Sequence, residues 1–134
     1  MSIIAYVLVG LIASLQDIKN REVSDWLHIA IISVGIFNFS MEGLMACIIA
    51  FSLFILPNII NENAIGGADI KFMAASGLVL GVKNILIASG IGITIAVIFI
   101  LINNIIKKDK LNAVPLIPYL FSGCMISLST AFFI

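Results

Sequence analysis

Apolar residues in this chain fall into long runs, and polar residues gather in the short breaks between them. Residues 2–16 are apolar apart from Ser2, Ser14 and Gln16. Further runs cover 26–39, 43–60, 69–80, 85–106 and 114–134. The breaks read IKNREVSD (18–25), Asn38 to Glu42, NENAIGGA (61–68), Val82 to Asn84 and KKDKLN (107–112). A helix crossing a bilayer core needs roughly 20 residues, mostly apolar. The first run is short by that measure, so its helix is expected to continue through Asp17 toward Arg21, with Lys19 and Arg21 snorkelling to headgroups. The pattern predicts an all-α, polytopic membrane protein with six transmembrane helices in one domain, residues 1–134. Trp26, at the head of the second run, suits an interfacial anchor.

Two acids interrupt this pattern. On helical geometry Gly10, Ala13, Ser14 and Asp17 share one face of the first helix. Small residues on a face allow close approach of helices in lipid, so Asp17 is expected on a packing face. The fourth helix is expected to start near Asp69, with Met73 and Ser76 on the same face and Gly77 and Gly81 beside them. A carboxylate at the edge of a hydrophobic span is costly and is a candidate functional group.

Composition agrees with the membrane reading. The chain is 62% hydrophobic and 10% charged, with a mean hydropathy of +1.24, against about 25% charge in a soluble domain. Formal net charge is zero, which offers no basic field for nucleic acid. Cys47 and Cys124 lie inside apolar runs without metal-ligand spacing, so they read as packing residues. The N-terminus has no positive region before its apolar run and no small-residue cleavage site after it, so a retained span is expected rather than a removable signal.

Six alternating spans put the breaks 18–25, 61–71 and 107–112 on one side. That side holds Lys19, Arg21, Lys71, Lys107, Lys108 and Lys110, and the other holds Lys83. The excess of cations marks the first side as cytoplasmic. Asp17 and Asp69 then share the cytoplasmic side of a cell membrane, and the acids played no part in that count.

Two carboxyl groups at one site share a proton, because like charges in contact do not both ionise easily. The charged member deprotonates water and the neutral member donates to a substrate carbonyl, which is peptide hydrolysis without metal or cofactor. His28 is the only histidine, and no Ser-His-acid or His-x-x-x-His spacing offers a rival set. Gly66 and Gly67 permit unusual dihedrals and close backbone approach, which an extended peptide beside Asp69 would need. A helix start at this point favours a carboxylate through the dipole.

At these residues the chain resembles the prepilin and preflagellin peptidases, the GxGD-type aspartic membrane proteases. GGADIK (66–71) is similar to their GxGDxK motif, with Ala68 in place of the second glycine. DIKNREVSDWL (17–27) is similar to their first-aspartate segment, with Ser24-Asp25 where Pro-Asn is usual, as in the preflagellin branch. The step Val114-Pro115-Leu116-Ile117-Pro118 resembles the family's proline pair. The resemblance implies a minimal, peptidase-only endopeptidase with Asp17 and Asp69 as its catalytic acids. It implies secreted subunits with a basic leader and a hydrophobic helix as substrates, cut at the cytoplasmic face after a glycine-like residue.

Lys71 stands two residues from Asp69, and residues so spaced on a helix do not face each other. A headgroup contact therefore suits it better than direct stabilisation of Asp69. Glu22 and Asp25 read as solvated loop acids, with a second role open to them as a negative loop that holds a basic leader. His28 reads as interfacial packing. The rival function is a small transporter or channel subunit with the two acids as a proton or cation relay. That reading expects a polar group at mid-span, where the chain offers only residues such as Ser33, Ser52 and Thr94.

Overall fold

The computed structural model describes residues 2–62, 65–107 and 114–133. These form six α-helices: α1 (Ser2–Asn20), α2 (Asp25–Phe37), α3 (Met41–Ile60), α4 (Gly67–Leu80), α5 (Val82–Lys107) and α6 (Ile117–Phe133). Each expected run is a helix, and among the described residues there is no strand. Helices α1, α3 and α5 are long and apolar enough to cross a membrane, while α2 and α6 are shorter apolar helices. Lys108 and Lys110, two of the six cations on the expected cytoplasmic side, lie outside the described residues, as do Asn63 and Ala64 of the second polar break.

Large apolar side chains face outward along the helices. On α5 alone Val97, Ile98, Phe99, Leu101, Ile102 and Ile105 are exposed. In water a surface of this kind is an interaction patch; around a helical bundle of this composition it is suited to lipid. The interior is built instead from small residues and a few large ones. Tyr6, Leu27, Ile31, Phe54, Phe72, Met73 and Leu120 are fully buried, together with Ala46, Ala88 and Ser76.

Lipid tails are as apolar as leucine, so close packing and polar contacts must hold such helices together. Helix α4 packs between α2 and α3, and α5 packs against α6. A Cβ on Gly77 of α4 would lie 2.8 Å from the backbone of Ala46 and Cys47 on α3. A Cβ on Gly123 of α6 would collide with the carbonyl of Ala88 and lie 2.8 Å from the amide of Gly92 on α5. Both crossings are therefore backbone against backbone. Tyr6 on α1 donates a buried hydrogen bond of 3.0 Å to Ser76 Oγ on α4.

The first helix runs on past Asp17 to Asn20, as expected, and Arg21, with φ 55°, turns the chain. A boundary further on differs from the sequence reading. The expected turn at Val82 to Asn84 is instead the first turn of α5. Gly81 alone makes the reversal, with φ 82° and ψ 170°, a region open to glycine and strained for other residues. Asn84, read as a turn residue, donates from its side-chain amide to the Leu80 carbonyl at 3.1 Å, which satisfies a carbonyl at the end of α4.

Candidate active site

Six acids fall within the described residues. Glu22, Asp25, Glu42 and Glu62 are exposed, Asp17 is buried and Asp69 is half-buried. The two that are withdrawn from solvent are the two interrupting the apolar pattern. Asp17 sits one turn from the end of α1 on the face that buries Gly10, Ala13 and Ser14, as its spacing predicts. Asp69 sits in the first turn of α4. The Asp17 carboxyl is near enough for its charge to act on Asp69.

Asp17 is fixed by α6. Its Oδ2 accepts a buried hydrogen bond of 3.1 Å from the backbone N–H of Ile117, the first residue of that helix. Pro115 and Pro118 have no N–H to offer, so the proline-flanked entry leaves few donors at this helix start. One carboxylate oxygen satisfies an orphan N–H and complements the dipole of α6. The other forms no hydrogen bond among the described residues.

Asp69 is fixed by the segment before it. Asn58, in the last turn of α3, clamps that segment in both directions. Its amide donates to the Ile65 carbonyl at 2.8 Å, and its Oδ1 accepts from the Ile65 N–H at 2.7 Å. Gly66 then caps α4, its carbonyl accepting from the backbone N–H of Asp69 at 3.1 Å and of Ile70 at 3.3 Å.

The glycines serve by their size. Gly66 has φ −63° and ψ 144°, a conformation any residue adopts, and among the described glycines only Gly81 has positive φ. The expectation that Gly66 and Gly67 are needed for unusual dihedrals is therefore corrected. A Cβ at Gly66 would stand 3.0 Å from Asp69 Oδ2, and one at Gly67 would meet nothing within 4 Å. The glycines leave the Asp69 carboxylate uncovered on an open side.

Lys71 points elsewhere. Its Nζ pairs with Asp25 Oδ1 at 3.2 Å, both side chains being largely exposed. The pair ties the start of α2 to α4, so Asp25 is a helix residue in an ion pair rather than a free loop acid. Lys71 finds a protein partner in place of the expected headgroup. Exposed pairs of this kind add little stability. Glu22 is exposed in the α1–α2 connection, and among the described residues its side chain forms no hydrogen bond or ion pair.

His28 is the residue that sequence reasoning undervalued. It is 4% exposed, and its Nε2 lies 3.2 Å from the carbonyl of Ala68, the residue before Asp69. Its Nδ1 is buried without a hydrogen-bond partner, alone in this among the described residues. The available signal was a lone polar residue one turn into an apolar helix. His28 also lines a groove of about 360 Å³ between α2, α3 and α4, with Asp25 and Lys71 at one end and Phe51 and Leu78 among its apolar walls. Neither candidate acid lines this groove.

A withdrawn pair of carboxyl groups, one of them open on its glycine side, suits acid–base chemistry on a bound chain. No curated protein and no solved structure matches the sequence. A sequence model of the type IV leader peptidase family matches residues 4–106, a stretch that includes Asp17, Asp69 and every helix but α6. With that match extending over most of its length, the chain belongs to the type IV leader peptidase family.

Proposed function

We propose that this single-domain protein is a membrane aspartic endopeptidase that removes leader peptides from prepilin-like or preflagellin-like secreted subunits. The observation that carries this reading is that Asp17 and Asp69 are the two described acids withdrawn from solvent, with the Asp17 charge acting on Asp69, in a chain of the leader peptidase family. One carboxylate takes a proton from water as the water attacks the scissile carbonyl. The other, protonated, donates to the carbonyl oxygen as charge develops there. The proton then passes to the leaving amine, so that the products sum to the substrate plus one water. Gly66 and Gly67 give an extended peptide access to Asp69. The exposed acids Glu22 and Asp25 face the side on which a basic leader would arrive.

This division of labour fixes the sign of the pH dependence. When both carboxyls are protonated no base remains, and when both are ionised no donor remains. The expected profile of kcat against pH is bell-shaped, with two macroscopic pKa values that belong to the pair. Single-turnover cleavage in detergent across pH, with substrate binding measured at each point, checks it. A rate that stays flat far above neutral pH would show that no shared proton is used. Chelators are expected to leave cleavage intact, and inactivation by a chelator with rescue by zinc would contradict the aspartyl mechanism.

The reading also places all six helices across the cell membrane, with both acids near the cytoplasmic face. In a background with Cys47 and Cys124 replaced by alanine, a cysteine at Asn20 is expected to react with an impermeant thiol reagent only from the cytoplasmic side. A cysteine at Lys83 is expected to react only from outside. Labelling of both from one side would remove the alternating topology.

A further inference from the structure

The partner of His28 is a backbone atom of the segment that carries Asp69. Ala68 and Asp69 share one peptide unit, which contains the Ala68 carbonyl and the Asp69 N–H. His28 Nε2 meets that carbonyl at 3.2 Å. The Asp69 N–H donates to the Gly66 carbonyl at 3.1 Å. That peptide plane belongs to the first turn of α4, whose own i→i+4 geometry turns the Ala68 carbonyl toward the Phe72 N–H, and the His28 contact ties the same carbonyl to α2 as well. The segment just before α4 is held separately, by the Asn58 clamp on Ile65.

A carbonyl oxygen only accepts, so Nε2 carries the hydrogen and Nδ1 bears the lone pair. That lone pair meets no donor among the described residues. A buried acceptor without a partner destabilises a fold, and a leucine of similar size would avoid the loss. His28 shares its groove with Asp25 and Lys71, yet the one hydrogen bond it makes among the described residues is to the Ala68 carbonyl.

We infer that His28 is a positioning residue: through the Ala68 carbonyl it fixes the peptide unit of Asp69, and with it the direction of the carboxylate toward substrate. The inference rests on the reading of Asp69 as a catalytic acid. His28 itself touches no reacting atom. It acts by holding α4 to α2 at the level of the site, where the exposed Lys71–Asp25 pair gives a looser tie.

The test compares His28→Gln, His28→Asn and His28→Leu with the parent and with Asp69→Asn, each as purified full-length protein in detergent with a prepilin-like precursor. Thermal unfolding, kcat and KM are measured separately. His28→Leu is expected to unfold at or above the parental temperature while kcat falls about 10- to 100-fold, the scale of a 1 Å misplacement of a reacting group, with KM little changed. Glutamine presents an amide N–H at the reach of Nε2 and is expected to retain most of kcat. Asparagine is too short and is expected to follow leucine. Parental kcat in His28→Leu, a change confined to KM, or equal losses in His28→Gln and His28→Leu would overturn the inference. Should His28→Leu fail to fold, the contrast between glutamine and asparagine decides. Inactive Asp69→Asn beside active His28→Leu would overturn this inference alone. Active Asp69→Asn would overturn the reading of Asp69 and this inference with it.

Discussion

Asp17→Asn and Asp69→Asn are each expected to lower kcat by about 10²- to 10⁴-fold or more, the range spanned by a positioned general acid or base, while both proteins still fold. The asparagine replacements separate catalysis from architecture. At position 17 the amide oxygen of asparagine still accepts from the Ile117 N–H, so the start of α6 keeps its cap. At position 69 the bond that anchors the turn runs from the backbone N–H to the Gly66 carbonyl, which the substitution leaves in place. A purely capping role for Asp17 therefore predicts near-parental function in Asp17→Asn and loss only in Asp17→Ala. A catalytic role predicts loss in both. The two acids perform different halves of one reaction, so the double variant is expected to be little slower than either single variant. Additive losses would mean that the carboxyls act in separate steps. Appreciable turnover by either folded single variant would remove the pair from the mechanism.

Gly77→Leu is expected to lower stability strongly. A glycine in a helix interior ordinarily costs about 1 kcal/mol relative to alanine, so filling it usually helps. At Gly77 the sign reverses, because the new Cβ would stand 2.8 Å from the Ala46 and Cys47 backbone and a backbone cannot rotate out of the way. Overpacking of this kind costs about 1–3 kcal/mol, occasionally more, and a leucine here is expected at or beyond the top of that range. Gly90→Leu is the control, since a Cβ there meets nothing within 4 Å on an exposed face of α5. It is expected to be neutral or stabilising. Thermal unfolding of the two variants in the same detergent checks the contrast, and equal melting temperatures would show that the α3–α4 crossing is looser than the glycine contacts imply. Helix α4 carries Asp69, so partial separation of the crossing is also expected to lower activity in any Gly77 variant that stays folded.

The helices were legible in the sequence because run length and polar breaks are local properties, and a membrane core makes the contrast between them sharp. The buried face of α1 was legible for the same reason, since Gly10, Ala13, Ser14 and Asp17 repeat at helical spacing. The turn after α4 was misplaced because Lys83 and Asn84 are polar. The reversal needs only the positive φ of Gly81, and Asn84 is polar because it serves the carbonyl of Leu80.

The ties that fix the two acids were not legible. Asp17 and Ile117 are 100 positions apart, His28 and Ala68 are 40, and Lys71 and Asp25 are 46. Each depends on which helix ends meet in space. Asn58 and Ile65 are only seven apart, but a side-chain amide clamping a loop backbone leaves no periodic signal. For Gly66 and Gly67 the residue type pointed to the site, while the reason differed: open space beside a carboxylate rather than an unusual backbone.

The central claim is that Asp17 and Asp69 form one hydrolytic site for leader peptides. The most direct measurement incubates the purified protein with a prepilin-like precursor and reads both products by mass spectrometry. The account predicts one cut between the basic leader and the apolar helix, after a glycine-like residue. It also predicts product masses that sum to the precursor plus one water, and no cut by the Asp17→Asn/Asp69→Asn protein. A precursor left intact by the folded parent, or the same cut made by the double variant, would contradict it.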